Sequence, residues 1–452
     1  MKPGKPLAVF VVAGALALGM AGCGTNGGTT TPTTTPPTSS APSSAAPTTA
    51  APVELTLSGW SLATTPEFQT LVDGFKKVDP NVNITIKEYD PAQYTQLMLA
   101  DMTAKQAPDI ITIKEVKYTY AWATAGQLLD ISDITSKVPA NVPAVANYTI
   151  NGKGYAMPYR QDTWMLYYNK DLFDQAKVAI PNGKWTWEDY VKAAKDLTAA
   201  LKTAGSSALG TYEHSWQSTL QGFANAQKGD NTNPNGPYYT GDYTYMTDYY
   251  NRALDLQTSG AQVTLGDIQT NKLTYQAQFG KQKAAMMLMG SWYIATLRAQ
   301  QKSGDADKFT WGMAPAPQVD SSTVDMPVSF GDSTGMAINV NIDPAKQAAA
   351  KEFLTYVASE DAAKALAGIG ITPAMASDAI TAAVFAGEGM PTDALSKTAF
   401  GTHKTYPENA SLPDVVNIST VLGTAHTDIM TGNKSVADAL AAAGTTVKNK
   451  DW

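Results

Sequence analysis

The sequence of residues 151–173, NGKGYAMPYRQDTWMLYYNKDLF, carries Tyr159, Arg160, Asp162 and Trp164 within six positions. Flat aromatic rings suit the apolar C–H faces of a sugar, and acidic, basic and amide side chains suit its hydroxyls, which both donate and accept hydrogen bonds. The same residue types also suit a structural Arg–Asp ion pair among core aromatic side chains. Taken alone, the segment therefore predicts either a sugar pocket or a buried ion pair.

Strand and helix signals alternate on either side of this segment. The first five predicted elements are strand 53–57, helix 66–78, strand 82–86, helix 94–105 and strand 110–113. Further helices are predicted from a capping box at 186–189, an apolar stripe at 350–357 and a cap at Ser435. A β-α-β-α-β succession favours a doubly wound sheet with both faces covered, so we predict an α/β fold.

Length and charge limit the class of protein. The chain has 452 residues, 33 Lys+Arg against 40 Asp+Glu and a net charge of −7. Binding to a phosphate backbone needs clustered positive charge, which an acidic chain with three arginines does not offer, so nucleic acid is excluded as a partner. The length exceeds what one hydrophobic core usually fills, which predicts more than one lobe.

The first fifty residues indicate secretion and tethering. Residues 1–22 have two lysines followed by an apolar run, which predicts a signal peptide. The sequence Met20-Ala-Gly-Cys23 resembles a bacterial lipobox, in which the cysteine is lipidated and becomes the first mature residue. A plain signal peptide followed by a buried thiol is the alternative. Residues 23–53, rich in Thr, Pro, Ser and Ala, are predicted to form an extended linker.

Motifs for catalysis and metal binding are missing from the sequence. It contains no G-x-S-x-G, phosphate-loop or dinucleotide-turn motif, and its three histidines stand far apart. Residues 231–242 have calcium-loop spacing, but Asn and a short Asp replace the carboxylates at its ends, so we interpret them as an Asx-Gly turn. We therefore predict no catalytic residue, no metal ligand and no cofactor. Adjacent tyrosine pairs leave ferric iron as a minor alternative.

Short motifs of one family occur in order along the chain. They lie at 68–82, 107–111, 126–130, 155–172, 181–188, 279–292, 311–317 and 349–354. The series resembles the extracellular solute-binding proteins, family 1, of bacterial sugar ABC importers, which are maltose-binding-protein-like lipoproteins. The resemblance covers nearly all of residues 54–452.

The resemblance implies a two-lobe clamp with a periplasmic-binding-protein-like fold. Each lobe would be a doubly wound sheet flanked by helices, and crossover segments would join the lobes. The implied N-lobe is 54–160 plus 315–360, and the implied C-lobe is 161–314 plus 361–452, with crossings near 159–163, 314–318 and 359–363. Closing such lobes around a ligand excludes water from the cleft.

The resemblance also implies ligand contacts. Asp162 matches an acidic sugar contact of the family, and Trp292 matches a stacking tryptophan. The other implied contacts are Trp60, Glu115, Tyr159, Arg160, Glu213, Trp216 and Asp332. A late tryptophan used by maltose binders has no counterpart at 409–422, which argues against maltose itself.

The implied function is capture of a mono- or oligosaccharide and its delivery to the permease of an ABC importer. The protein would be a monomer and not an enzyme, anchored through Cys23 to the outer face of the bacterial cell membrane. The alternatives are a secreted glycoside hydrolase, with two carboxylates across a cleft, and a binding protein for ferric iron or a polyamine.

Overall fold

A computed structural model describes residues 51–452. The predicted signal peptide, Cys23 and nearly all of the linker lie outside the described residues. Within 51–452, no helix is long and apolar enough to cross a membrane.

The strands of the described chain form two main sheets and two small ones. They are β1 (Val53–Trp60), β2 (Val82–Tyr89), β3 (Ile110–Ile113), β4 (Thr149–Ile150), β5 (Lys153–Gly154), β6 (Ala156–Gln161), β7 (Trp164–Asn169), β8 (Leu209–Tyr212), β9 (Ala284–Gly290), β10 (Trp311–Ala314), β11 (Val328–Phe330), β12 (Ser333–Ile338) and β13 (Lys404–Tyr406).

Helices cover both main sheets. They are α1 (Glu67–Val78), α2 (Tyr94–Thr103), α3 (Tyr118–Thr124), α4 (Ser132–Thr135), α5 (Lys170–Ala176), α6 (Trp187–Thr203), α7 (Ser218–Ala224), α8 (Pro237–Thr240), α9 (Thr247–Thr258), α10 (Leu265–Thr270), α11 (Tyr275–Gly280), α12 (Tyr293–Ser303), α13 (Gln347–Val357), α14 (Glu360–Gly368), α15 (Asp378–Phe385), α16 (Ala394–Gly401), α17 (Val415–Met430) and α18 (Val436–Asn449).

The N-lobe is built on a five-stranded sheet in the order β2-β1-β3-β12-β6. Strand β1 runs parallel to β2 and β3, because α1 and α2 return the chain to the same end of the sheet. The sequence of β3, IITI, is buried at all four positions, so both faces of the sheet are covered there. The helix predicted at 66–78 is confirmed as α1, and its Phe68, Leu71 and Phe75 are buried in the core of this lobe.

The C-lobe is built on a four-stranded sheet in the order β10-β7-β9-β8. Its core is separate from that of the N-lobe and includes the buried face of α6. The predicted capping box is present, because the Thr186 side chain accepts from the Asp189 N–H and the Asp189 carboxylate accepts from the Thr186 N–H. The predicted cap of the last helix is also present, with Ser435 accepting from the Asp438 N–H. The two-lobe α/β architecture is confirmed.

The chain passes between the two sheets at three places. The first is 162–163, between β6 and β7, and the second is 331–332, between β11 and β12. The third is near 372–373, where the Thr372 carbonyl accepts from the Gln161 N–H (3.1 Å) and Ala374 donates to the Tyr159 carbonyl (3.0 Å).

The second and third crossings lie further along the chain than the positions 314–318 and 359–363 that the resemblance implied. After β10 the chain stays with the C-lobe, because Phe330 is buried in its core and β11 pairs with β13. Helix α14 still packs on α1 of the N-lobe, where Ala362 and Leu366 are buried.

Candidate functional site

Polar and aromatic side chains of the two lobes meet where the parallel strands end. The loop 114–117 follows β3 in the N-lobe, and the loops 213–217 and 291–292 follow β8 and β9 in the C-lobe. Ligands of doubly wound sheets bind at these carboxyl ends, because the loops there converge on one crevice. We call the space bounded by these loops and by segment 407–411 the candidate cleft.

Hydrogen bonds cross the candidate cleft from lobe to lobe. The Ser411 hydroxyl lies within hydrogen-bonding distance of the carbonyls of Val116 (3.0 Å) and Asn147 (2.6 Å), which share its single hydrogen. Lys117 Nζ lies 3.2 Å from the Ser419 hydroxyl on α17. The described conformation therefore brings the two walls into direct contact.

Arg160 is held by protein partners on several sides at the first crossing. Its Nη1 lies 2.6 Å from Glu67 Oε2, and its Nη2 donates to Thr334 Oγ1 at 3.0 Å. The Tyr159 hydroxyl donates to Glu67 Oε1 at 2.9 Å. Glu67 has no exposed surface and Arg160 is 8% exposed, so these groups form a buried ion network at the base of the cleft.

Asp162 completes this network from the crossing segment. Its Oδ2 lies 2.9 Å from Arg160 Nε, and its Oδ1 accepts from the Ser291 hydroxyl at 3.1 Å. Burial raises the pKa of Asp162 to about 6, because desolvation outweighs the opposing charge of Arg160. Of the two interpretations of segment 151–173, the described conformation has the buried ion pair.

Glu115 and Lys117 form the N-lobe wall. Their charged atoms lie 2.8 Å apart, with 37% of the Glu115 side chain and 13% of the Lys117 side chain exposed. Desolvation raises the pKa of Glu115, but the charge and hydrogen bond of Lys117, with the charge of Lys114, more than offset it, so the pKa lies below its ordinary value. An ionised acceptor beside a cationic donor suits ligand hydroxyls, which need both.

Asp332 and Glu408 form a second acidic group beside the second crossing. Asp332 accepts from the Asn409 N–H (3.1 Å) and from Asn409 Nδ2 (3.3 Å), and Glu408 accepts from the Ser218 hydroxyl. Desolvation and then the charge of Glu408 raise the pKa of Asp332 to about 8. Together the two carboxyl groups therefore bind a proton more readily than isolated carboxyl groups do.

Aromatic rings form the C-lobe wall. The Trp216 ring is 39% exposed and lies 5.5 Å from Tyr275 and 6.4 Å from Trp292, measured between centroids. His214 packs edge-on against Trp216 at 4.6 Å, and burial lowers its pKa to about 4. Trp164 is buried beneath this wall, and its ring lies edge-on to the Trp292 ring, with 5.6 Å between the centroids. Exposed rings on a rigid base suit the apolar face of a sugar ring.

Two predicted contacts lie inside their lobes. Trp60 is 7% exposed and packs against Phe68 and Tyr94 in the N-lobe core, with Lys114 Nζ 5.4 Å from its ring. Glu213 is 4% exposed and lies 3.3 Å from the Tyr190 hydroxyl in the C-lobe. Burial therefore removes most of the surface that either side chain needs to touch a ligand directly.

The nine predicted contacts fall into two groups. Glu115, Trp216, Trp292 and Asp332 keep exposed surface at the candidate cleft. The others are buried in protein contacts, namely Trp60, Tyr159, Arg160, Asp162 and Glu213.

Sequence reasoning missed several residues of this site. They are Glu67, Lys117, Tyr275, Glu408, Asn409 and Ser411. Lys117 follows the end of a buried strand, as Glu115 does, so its position in the sequence could have identified it. The remainder stand in segments with no distinctive pattern. Within residues 51–452, no group of three or more His, Cys, Asp and Glu side chains is arranged to hold a metal ion.

Curated relatives match part of the chain. An arabinooligosaccharide-binding protein of Halalkalibacterium halodurans is 31% identical over 106 residues, which is 23% of this chain and 24% of the relative. The sn-glycerol-3-phosphate-binding periplasmic protein UgpB of Agrobacterium fabrum is 29% identical over 131 residues, which is 27% of this chain and 29% of the relative. The chain thus matches about a quarter of the length of each.

Solved structures match over most of the chain. A sugar transporter from Rhizobium etli, in an open conformation, is 30% identical with a TM-score of 0.71, covering 88% of this chain and 99% of its own. A Listeria monocytogenes ABC substrate-binding protein in complex with cycloalternan is 18% identical with a TM-score of 0.73 over 88% and 99% of the two chains, which shows the fold. The sequence profile described as bacterial extracellular solute-binding protein matches residues 59–364. The chain therefore belongs to the bacterial extracellular solute-binding proteins.

Proposed function

We propose that this protein binds a mono- or oligosaccharide between its lobes and delivers it to the permease of an ABC importer. The observation that carries the proposal is the exposed ring of Trp216, with Trp292 and Tyr275 beside it, at a cleft whose other walls hold Glu115 and Lys117. Rings match the C–H faces of a sugar and the charged groups match its hydroxyls. Relatives named for sugars support the ligand class.

The charge of the site favours a neutral ligand over a phosphorylated one. Arg160 is already paired with Glu67 and Asp162, and Lys117 is paired with Glu115. A phosphate would approach these paired cations against nearby carboxylates, which is unfavourable. The remaining cation of the loop, Lys114, donates to the Pro91 carbonyl, and burial lowers its pKa. We therefore expect neutral sugars to bind more tightly than sn-glycerol 3-phosphate, the ligand named for UgpB relatives.

A thermal-shift screen followed by calorimetry tests the ligand class. A ligand that binds only the folded protein stabilises it by about 2.7 kcal/mol at a concentration of one hundred times Kd. The screen contains neutral mono- and oligosaccharides, polyols, sn-glycerol 3-phosphate, spermidine and ferric citrate. We expect stabilisation by at least one neutral sugar. Stabilisation by spermidine or ferric citrate alone would refute the proposal, and sugar turnover would indicate a hydrolase.

Delivery and anchoring are separate parts of the proposal. We expect deletion of the gene to abolish uptake of the bound sugar, and we expect Cys23→Ala to abolish incorporation of radiolabelled palmitate. Uptake unchanged by deletion would point to a surface sensor or adhesin instead. Light scattering of the purified protein is expected to give the mass of a monomer.

A further inference from the structure

A small cavity lies inside the C-lobe, directly behind the loop that carries Trp216. Its volume is about 10 Å³, and its walls include the residues after β8 and parts of α7 and α17. That volume is close to the roughly 10–15 Å³ that one water molecule needs.

Three residues that line this cavity carry polar atoms without a protein partner. They are Glu213 Oε2, Gln262 Oε1 and His426 Nε2. The side chains of Glu213 and Gln262 also contact each other through a hydrogen bond, and the Ser215 backbone lies beside the His426 ring. Each of the three residues is 4% exposed. A buried polar atom without a hydrogen bond is costly, and native proteins satisfy such atoms with protein groups or ordered water.

The imidazole tautomer makes the three atoms complementary to a water molecule. The Tyr250 hydroxyl lies 3.4 Å from His426 Nδ1 and already accepts from Gln221 Nε2, so its own hydrogen is free for His426. An Nδ1 that accepts leaves Nε2 as the donor of the neutral ring. One water can then donate to the unpartnered oxygens of Glu213 and Gln262 and accept from His426, which also faces the Ser215 backbone.

Arg252 adds two further donors behind Glu213. Its guanidinium carbon stands 3.7 Å from the Trp187 ring centroid, and its Nε and Nη2 have no protein partner. Desolvation raises the pKa of Glu213, and Arg252 is the charge that most opposes this rise, although no direct ion pair joins them within residues 51–452.

The residues that line the cavity favour a neutral occupant. Glu213 is the acidic residue among those that line the cavity, so an anion would meet its carboxyl group, and burial disfavours any charge there. A neutral molecule small enough for about 10 Å³ that both donates and accepts is water.

We propose that ordered water occupies this cavity, bridges Glu213 to Gln262 and His426, and makes Glu213 a positioning residue for the Trp216 loop and not a ligand contact. The cavity touches that loop directly, because His214 and Thr219 line it. Thr219 Oγ1 donates to the Trp216 carbonyl at 2.7 Å, and the His214 ring packs on the Trp216 ring. A role of Trp216 in sugar binding rests on the proposed function, whereas the water site and the positioning of the Trp216 ring do not.

A crystal structure of the full chain at high resolution tests the water site without any ligand. We expect density for water within hydrogen-bonding distance of Glu213 Oε2 and of Gln262 or His426. A dry cavity, a direct Glu213–Arg252 ion pair or a bound ion would overturn the proposal.

Fluorine NMR tests the positioning role. In protein labelled with 5-fluorotryptophan, the resonance that disappears in Trp216→Phe reports on that ring. We expect it to shift in Glu213→Gln and in Gln262→Leu and to stay in place in Glu188→Gln, an exposed carboxylate on α6. An unmoved resonance in both cavity variants would overturn the role of Glu213. Absence of sugar binding in the unmodified protein would refute the proposed function and leave both readouts intact.

Discussion

Trp292 lies over Gly290, two residues earlier, so closely that a side chain on Gly290 would occupy the same space as the indole. A β-carbon built on Gly290 would lie 1.8 Å from Cζ3 of Trp292. Because Gly290 has no side chain, the Trp292 ring can pack over the end of β9, beside the candidate cleft. Trp164 supports the ring edge-on at 5.6 Å.

Gly290→Ala is expected to displace the Trp292 ring and weaken sugar binding. Overpacking of this kind costs about 1–3 kcal/mol, so we expect a loss of roughly tenfold or more in affinity. Calorimetry with the sugar found in the screen measures the loss. Gly266→Ala is the matched control, because its β-carbon would meet nothing closer than 3.8 Å. Equal affinity in the two variants would contradict the role of Gly290.

Trp216→Ala is expected to weaken sugar binding without unfolding the protein. The ring is 39% exposed, so its removal leaves little cavity in the core, while loss of a stacking contact costs about 2 kcal/mol or more. We expect affinity to fall on the order of thirtyfold, measured by calorimetry. Trp452→Ala, which removes another exposed tryptophan, should leave affinity unchanged. A similar affinity in both variants would move the ligand away from this wall.

Glu67→Gln is expected to destabilise the protein strongly. Removing this charge leaves the buried Arg160 with Asp162 as its remaining acidic partner, and breaking a buried ion pair costs about 3–5 kcal/mol. Urea unfolding followed by circular dichroism gives the free energy of unfolding. Asp73→Asn on the exposed face of α1 is the control, for which we expect a change below about 0.5 kcal/mol. A mild effect of Glu67→Gln would show that Arg160 does not need this partner.

Asp332 is expected to make the folded state less stable as the pH rises. Its pKa in the folded protein is about 8 against an ordinary value of 3.8, so unfolding releases its proton at intermediate pH. The contribution of Asp332 to the free energy of unfolding is therefore fully present below about pH 4 and is lost progressively as the pH rises to about 8. We expect Asp332→Asn to flatten the dependence of unfolding free energy on pH in this window. Glu352→Gln, an exposed carboxylate on α13, should retain the slope; a slope equally steep in Asp332→Asn would assign the titration to other groups.

The local signals of the sequence were sufficient for the fold class. The strands β1, β2 and β3 and the helix α1 follow from apolar periodicity, and the caps of α6 and α18 follow from single polar residues, because these features depend on neighbours a few positions away. The family order of motifs extended this to two lobes, which the structural relatives confirm.

The partners of each polar side chain were decided by the tertiary structure. Arg160 meets Glu67, 93 positions earlier, and Lys117 meets Ser419, 302 positions later. No local pattern records such pairings, since they arise from the way the lobes close on the three crossings. The same residue types serve a sugar and an ion network equally well. Packing buries Glu213 and Asp162 inside the protein and leaves Trp216 and Glu115 exposed at the cleft. Water and ligands reach only the exposed pair, and the sequence does not record this difference.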